Sequence, residues 1–314
     1  MIVLTRITRI APATLAALIA VCAVNPLARA QERSVVLVTS RSEEPYRTVL
    51  EGIRAPLAAR GVSLDVHSLQ TDAADANGAL TAARKGKKSP LITLGSVAAK
   101  AAIEAQGDGP VVACMLVNEH VLKGAKNATG VVLEFPVETQ LRWMHRFVPD
   151  ATSIGVIYNP KENRPTIESA TGVASRLGMR LIARPIERPQ ALPDALDSLA
   201  REANLLWGVT DRMVLSPQTA EAILLFSFRN RIPLAGLSTS WVKAGALYAL
   251  DRDYADLGDQ CGEMALEVLN GRSPDSLAPA APRKVTYAVN LKTAEHMKIE
   301  LPPDLVEGAQ QVFR

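Results

Sequence analysis

The sequence has few of the residues on which metal binding, redox chemistry and catalysis usually depend. Its 314 residues include 4 histidines and 3 cysteines, and aromatic residues make up 4% of the chain. The histidines are scattered without the close spacing of metal ligands. They are His67, His120, His145 and His296. We therefore expect no metal site and no catalytic histidine.

Nucleotide-binding and nucleophile motifs are also absent. No G-x-G-x-x-G sequence and no P-loop lysine follows a candidate strand. The segment Gly236-Leu237-Ser238-Thr239-Ser240 begins like the nucleophile elbow of a hydrolase, but it lacks the final glycine. These absences predict a protein that is not an enzyme and holds no cofactor.

Charge is balanced once the N-terminal segment is set aside. The chain has 35 basic and 32 acidic residues, and removing Arg6, Arg9 and Arg29 leaves 32 of each sign. No basic stripe with interleaved aromatic residues occurs, as a nucleic-acid surface would require. Nucleic acid is therefore not an expected partner.

A long apolar run is found only at the N-terminus. Arg6 and Arg9 precede an apolar stretch, Ala11 to Val24, that ends near Ala28 and Ala30. This order is typical of a cleavable secretory signal, and no later run approaches the roughly 20 residues of a membrane helix. We expect residues 1–30 to be removed after Ala30 and the mature protein to be periplasmic.

The three cysteines leave two alternatives open. Cys22 would suit lipid attachment, but Val21 before it is bulkier than the small residue that such processing prefers, so we favour the cleaved signal. Cys114 and Cys261 lie far apart in the chain. A disulfide between them is compatible with an oxidising compartment, but we expect two separate buried thiols.

Short apolar, β-branched runs alternate with stretches of helical period, which predicts repeated βα units. The first set of predicted strands covers Val35–Val38, Val62–Val66, Leu91–Leu94 and Val111–Met115, with helices near Pro45–Arg60, Ala73–Arg84 and Val97–Ala105. The second set covers Ser153–Tyr158, Arg180–Ala183, Leu205–Gly208 and Pro233–Ala235, with helices starting near Pro165, Gln190 and Ser216. Such continuous apolar strands indicate parallel sheets covered on both faces.

Three extended segments flanked by helix breakers are interpreted as crossings between two lobes. They are Gly130–Leu133, Gly245–Leu250 and Lys284–Val289. The predicted fold is α/β, with two Rossmann-like lobes whose parallel sheets are joined by a three-strand hinge. Lobe 1 is expected to span residues 31–130 with 251–284 returning to it, and lobe 2 residues 131–250 with 285–314 returning to it. One long doubly wound sheet is the alternative.

The C-terminal third carries a series of short motifs in a characteristic order. They include Ile232-Pro233, Gly245-Ala246-Leu247, Asp253-Tyr254, Leu257-Gly258, Leu269-Asn270-Gly271, Val289-Asn290-Leu291-Lys292-Thr293-Ala294 and Leu301-Pro302-Pro303. With these motifs the chain resembles the substrate-binding proteins of ABC importers of the tryptophan/tyrosine type. The resemblance covers nearly the whole mature chain. It implies the type I periplasmic binding protein fold, a small organic ligand such as an amino acid, and an ABC permease in the inner membrane as partner.

In open α/β sheets, ligands bind beyond the carboxyl ends of the strands, so residues that leave each strand are the candidate contacts. In lobe 1 these are Thr39, Ser40, Gly95, Ser96 and Asn118, and Tyr46 could add a flat wall. The amides at the start of the helix after Gly95 could hold a carboxylate or serve only as an ordinary N-cap.

In lobe 2 the same rule selects Tyr158, Asn159, Thr210, Asp211, Ser238 and Thr239, with Asp251 after the second crossing and Trp241 as a further wall. Asp211 is the candidate for a ligand ammonium, with helix capping or pairing with Arg212 as its alternative. We therefore expect an exported protein that captures an amino acid between its lobes and delivers it to an importer. A ligand-sensing module that feeds a membrane receptor is the alternative function.

Overall fold

Two β-sheets, each covered by helices, organise the protein. A computed structural model describes residues 33–70, 77–78, 80–81, 89–105 and 109–314. The predicted signal segment, and most of the helix predicted near Ala73–Arg84, lie outside the described residues.

The first sheet consists of parallel strands in the order β2-β1-β3-β4-β5. Their bounds are β1 Arg33–Thr39, β2 Val62–Ser68, β3 Leu91–Leu94, β4 Val111–Leu116 and β5 Ala128–Val132. Helix α1 spans Tyr46–Ala58, helix α2 spans Ser96–Glu104, and a 3₁₀ turn covers Glu119–Leu122. Every residue of β3 and β4 is buried, as expected for central strands covered on both faces.

The second sheet has the order β12-β11-β10-β9-β8-β6-β7, and its paired strands are parallel except β10 and β11. Its strands are β6 Ser153–Tyr158, β7 Arg180–Pro185, β8 Leu205–Trp207, β9 Leu234–Gly236, β10 Tyr248–Arg252, β11 Val285–Asn290 and β12 Gln311–Phe313. The remaining helices are α3 Val137–Phe147, α4 Pro160–Arg176, α5 Leu192–Leu199, α6 Pro217–Asn230, α7 Thr239–Ala244, α8 Tyr254–Leu269, α9 Leu291–Met297 and α10 Pro303–Glu307. Further 3₁₀ turns cover Pro189–Ala191 and Pro274–Ser276.

Helix α4 begins five residues earlier than the sequence indicated. The expected start was near Pro165, but the helix starts at Pro160 and continues through Pro165. The side chain of Asn159 accepts a hydrogen bond from the Lys161 amide at 3.0 Å, and Pro160 occupies the first helical position. This cap and this proline favour the earlier start.

Helix α8 returns to the first sheet, where it packs against α1. The contact depends on glycines, because a Cβ on Gly52 would lie 2.9 Å from the Cα of Gly258. A disulfide joins Cys261 of α8 to Cys114 of β4. The expectation of two separate thiols is therefore wrong, since the helix packing brings the two Cα atoms to 6.2 Å. We call the first sheet with α1, α2 and α8 lobe 1.

Lobe 2 comprises the second sheet and its covering helices, including α3. Its core contains an aromatic group in which Phe147 and Tyr248 stack with ring centroids 3.8 Å apart. Tyr287 meets Phe147 edge-on at 5.3 Å, and Trp143 lies 5.0 Å from Tyr287. These contacts bind α3 to strands β10 and β11.

The chain passes between the lobes three times: after β5, after β10 and before β11. The third passage follows Ala280, whose amide donates to the carbonyl of Gly130 at the edge of lobe 1. Arg283 and Lys284 in this passage contact the buried carboxylate of Asp256 on α8, with nitrogen–oxygen distances of 3.0 and 2.9 Å. Charged contacts thus fasten the third crossing to lobe 1.

Candidate functional site

Three predicted lobe 1 residues come together where β1 and β3 end. The hydroxyl oxygen of Ser40 accepts a hydrogen bond at 2.9 Å from the Ala98 amide, in the first turn of α2. Gly95 has a φ of +89°, and a Cβ there would lie 2.7 Å from the Ser40 Oγ and 2.9 Å from the Tyr46 hydroxyl. Only glycine suits this position, both for its backbone conformation and for the close approach.

The other predicted lobe 1 residues satisfy groups within their own loops. The buried Thr39 hydroxyl donates to a carbonyl two residues further along at 2.5 Å. The Asn118 side chain accepts from the His120 amide at 3.1 Å, and the Ser96 hydroxyl accepts from the Val117 amide at 3.4 Å. These side chains fix the loops after β1, β3 and β4.

Asp211 is buried and its carboxylate is surrounded by protein donors. One oxygen accepts from the Asn159 amide at 2.7 Å and from the Asn163 side chain at 3.0 Å. The other accepts from the amides of Met213 and Val214, both at 2.9 Å. Only 3% of the surface of Asp211 is exposed. Its burial and its protein donors favour a loop-capping role over contact with a ligand ammonium.

The remaining lobe 2 candidates differ in their access to the strand ends. Tyr158 is buried in the lobe 2 core, and Ser238 and Thr239 form the start of the short helix α7. Thr210 is exposed and lines a recess at the carboxyl ends of β8 and β9. Trp241 is half-buried against the lobe core and does not line this recess.

The recess at the ends of β8 and β9 also reaches two of the crossings. It encloses about 600 Å³, including the part open to solvent. Its apolar and aromatic lining includes Phe135, Met144, Trp207, Tyr248 and Leu250. Its polar lining includes Glu134, Gln140, Thr210 and Arg252. Apolar walls with a few polar groups are typical of small-molecule sites.

Two hydrogen bonds hold part of this wall in place. The Trp207 indole N–H donates to the Gln140 side-chain oxygen at 2.9 Å. The side-chain nitrogen of Gln140 in turn donates to the Phe135 carbonyl at 2.8 Å. The aromatic surface is therefore linked to the first crossing, which carries Phe135.

Arg252 ends β10 at the second crossing and brings a guanidinium group into the recess. The group lies 5.3 Å from the centroid of the Phe135 ring, and 19% of the side chain is exposed. Its Nη1 lies 3.5 Å from the carboxylate of Asp251, which also accepts a hydrogen bond from the Arg252 amide at 2.9 Å. The buried Nε makes no hydrogen bond within the described residues.

Glu134 supplies a carboxyl group at the first crossing. Although the side chain is exposed at the mouth of the recess, the surrounding protein atoms partly remove it from water and raise the pKa of the carboxyl. His120 acts in the opposite direction, and Glu119 adds to the increase in the pKa. Both neighbours belong to the turn after β4 in lobe 1.

Of the residues that line the recess, sequence reasoning named Thr210, while Asp251 lies beside the recess without lining it and most of the lining residues were missed. Glu134 and Phe135 directly follow the first predicted crossing, and Arg252 directly follows Asp251. The crossings were treated as connections, although the recess is lined by residues at two of them, Glu134, Phe135, Leu250 and Arg252. The sequence did offer one signal for these residues, which is the position of an arginine and a glutamate beside predicted crossings.

The described residues contain neither a membrane-spanning helix nor a cluster of metal ligands. No helix in the described ranges is long and apolar enough to cross a membrane. Among the same residues, no group of three or more histidine, cysteine, aspartate or glutamate side chains is arranged to hold a metal ion.

Comparison with known proteins gives a consistent result over most of the chain. The family model described as "ABC transporter substrate binding protein" matches residues 36–313. A protein of Clostridioides difficile (strain R20291) named "Tyrosine-binding protein" is 22% identical over 248 residues, which cover 76% of this chain and 71% of that protein.

Solved structures share the fold. The ligand-free, open structure of a substrate binding protein with adhesive properties from Clostridium difficile has a TM-score of 0.72 at 22% identity, covering 90% of this chain and 99% of that one. A domain from Streptococcus pneumonia in complex with L-Trp has a TM-score of 0.57 at 19% identity, covering 90% and 100%. These likenesses confirm the predicted type I periplasmic binding protein fold.

Proposed function

Since the chain belongs to the family of ABC transporter substrate binding proteins, we propose that it captures an amino acid with an aromatic side chain and delivers it to an importer. The coarser statement, that it is a substrate-binding protein and not an enzyme, follows from the family itself. The ligand class and the delivery step go beyond the family and are part of the proposal.

The recess shared by lobe 2 and two crossings carries the proposal. It combines an aromatic surface, formed by Phe135, Trp207 and Tyr248, with charged groups of both signs. A flat apolar side chain fits such walls, while polar groups at the rim fix its orientation. The names of two relatives, one tyrosine-binding and one solved with L-Trp, support the same ligand class.

Ligand capture would link the two lobes. Ser40, Tyr46 and Gly95 gather at the strand ends of lobe 1, while the recess occupies those of lobe 2. A ligand that touches both surfaces favours a closed arrangement in proportion to the contacts it gains there. Closure would then present the loaded protein to an ABC permease in the inner membrane.

We also propose that the protein acts in the periplasm after cleavage of residues 1–30. The support is the order of charged, apolar and small residues in that segment. N-terminal sequencing of protein recovered from the periplasm tests this, with Gln31 expected as the first residue. An N-terminus at Cys22 would favour lipid attachment instead.

Calorimetric titration tests the ligand class. Purified protein is titrated with the common amino acids, with nucleosides and with simple sugars, and its melting temperature is measured with each. We expect L-tyrosine or L-tryptophan to bind and to raise the melting temperature, because a ligand that binds the folded state stabilises it. Binding of a sugar or nucleoside, with no response to any amino acid, would contradict the proposal.

A further inference from the structure

We propose that Arg252 binds the carboxylate of the ligand and Glu134 its ammonium group, so that the cleft selects zwitterionic amino acids over both amines and organic acids. The inference rests on the proposed function and assigns the polar contacts of that site. It places them on the crossings rather than on the strand-end loops of either lobe.

Arg252 differs from other arginines of the protein in how its donors are used. Arg283 donates from Nε to the carboxylate of Asp256 at 3.0 Å and from Nη1 to Glu263 at 2.8 Å. Arg184 donates from Nε to Ser198 at 2.8 Å and also binds Glu202. In the described part of the protein, the buried Nε of Arg252 makes no such bond. A buried donor without a partner is costly, and a ligand acceptor would remove the cost.

The contacts of Arg252 leave part of its guanidinium group without a protein partner in the described residues. Its guanidinium lies over the Phe135 ring, and its carboxylate neighbour, Asp251, is 3.5 Å away at one terminal nitrogen. That distance leaves a planar fork of N–H groups able to donate to a second carboxylate. Because Arg252 lines the recess, a ligand held there can reach the fork.

Glu134 offers the complementary charge in the same recess. It precedes Phe135 on the first crossing, while Arg252 is at the second. Of the other carboxylates near these strand ends, Asp211 uses both oxygens to hold loop amides and a neighbouring side chain. Asp251 contacts Arg252 but does not line the recess. Glu134 is therefore the carboxyl group that an ammonium entering the recess would meet. The cost of removing Glu134 from water would be offset by this cation.

The arrangement selects for two charges on one ligand. An amine without a carboxylate would leave Arg252 unpaired, and an acid without an ammonium would leave Glu134 unpaired. The unpaired Nε of Arg252 is buried, so an amine that leaves it unpaired is strongly disfavoured, whereas Glu134 is exposed at the mouth of the recess and disfavours an acid less. The aromatic wall would then distinguish among the amino acids that satisfy both charges.

The test uses three related probes: L-tyrosine, tyramine and 3-(4-hydroxyphenyl)propionate. The protein and its Arg252→Gln, Arg252→Lys and Glu134→Gln variants are titrated with each. Arg229→Gln is the matched control, because Arg229 is exposed in the last turn of α6 and does not line the recess. Melting temperatures without ligand show whether each variant is folded.

We expect Arg252→Gln to weaken L-tyrosine binding by about 10- to 100-fold, the effect of losing hydrogen bonds to a charged group. Arg252→Lys should be intermediate, because it keeps the charge and loses the fork. Glu134→Gln should weaken the binding of L-tyrosine more than the binding of 3-(4-hydroxyphenyl)propionate. Arg229→Gln should bind as the unmodified protein does. The unliganded melting temperature of Arg252→Gln should fall only slightly, since the Nε makes no bond within the described protein and the substitution removes only the 3.5 Å contact with Asp251 and the contact with the Phe135 ring.

Unchanged affinity of Arg252→Gln for L-tyrosine would overturn the assignment of Arg252 to the ligand carboxylate. Unchanged affinity of Glu134→Gln would overturn the assignment of Glu134 to the ligand ammonium. If no amino acid binds but the propionate binds in an Arg252-dependent way, the proposed function fails while the carboxylate site stands. If the unmodified protein binds none of the three probes, the inference fails as well.

Discussion

Reduction of the disulfide between Cys114 and Cys261 should destabilise lobe 1 substantially. The two residues are 147 positions apart, so the bond closes a long loop in the unfolded chain. On a chain-entropy model, closing a loop of this length stabilises the folded state by about 5 kcal/mol, and measured values are commonly about 2 to 4 kcal/mol. For a protein of this size, a loss of that order lowers the melting temperature by roughly 3 to 8 °C.

The positions of the tryptophans allow the effect to be assigned to one lobe. All 3 tryptophans, Trp143, Trp207 and Trp241, lie in lobe 2, while both cysteines lie in lobe 1. Unfolding in urea is followed by tryptophan fluorescence for lobe 2 and by far-UV circular dichroism for the whole chain. Protein refolded with its thiols reduced should show an earlier dichroism transition, and the fluorescence transition should move less.

Titration of free thiols tests whether the disulfide between Cys114 and Cys261 forms. A chain that begins at Gln31 contains only these two cysteines, so the oxidised protein should show no free thiol even when unfolded. Two free thiols in oxidised protein, or identical unfolding curves before and after reduction, would refute the reasoning.

Three further predictions concern the cleft and the hinge. Affinity for L-tyrosine should fall as the pH falls through the pKa of Glu134, which is raised above its usual 4.5, because only the ionised carboxylate binds an ammonium. Titrations with L-tyrosine from pH 4 to 8 should show this fall. The Glu134→Gln variant should show a flatter dependence of affinity on pH. Burial alone would raise the pKa of Asp256, but hydrogen bonds from Lys284 and Arg283 outweigh it and lower the pKa. Its ionised form therefore adds stability above pH 3.8, and this stability is lost as the pH falls through the lowered pKa. Asp256→Asn should lower the free energy of unfolding at neutral pH by about 1 to 3 kcal/mol, measured by urea unfolding. The stability of this variant should also depend less on acidic pH. Ligand binding should change the fluorescence of Trp207, so a Trp207→Phe variant should lose most of the signal seen on titration, whereas Trp241→Phe should keep it.

The fold could be predicted because its strands are continuous apolar runs. Leu91–Leu94 and Ser153–Tyr158 were predicted with the bounds that the structure has, since each run is buried on both faces and ends at a polar or breaking residue. Helix starts were less certain: Asn159 and Pro160 begin α4, but a second proline at position 165 suggested a later start.

The site was harder to predict because sequence does not show which way a side chain points. Asp251 and Arg252 are neighbours on β10, and successive strand residues face opposite sides, so choosing between them needs the structure. Asp211 has the chemistry of an ammonium ligand, but four protein donors surround it. The return of residues 251–284 to lobe 1 was predicted, but the spacing of the cysteines does not show that Cys261 of α8 faces Cys114 of β4.

The threefold crossing of the chain has a consequence for how the protein is made. Lobe 1 starts at β1, but its core is incomplete until α8 covers α1, so about 270 residues must be synthesised first. Lobe 2 in turn needs β11 and β12, close to the last residue. Neither lobe is thus a contiguous stretch that could fold during synthesis while the rest is still missing. A truncation that removes the last 60 residues would take part of both cores with it, and neither lobe should be recoverable as a fragment cut at a single point.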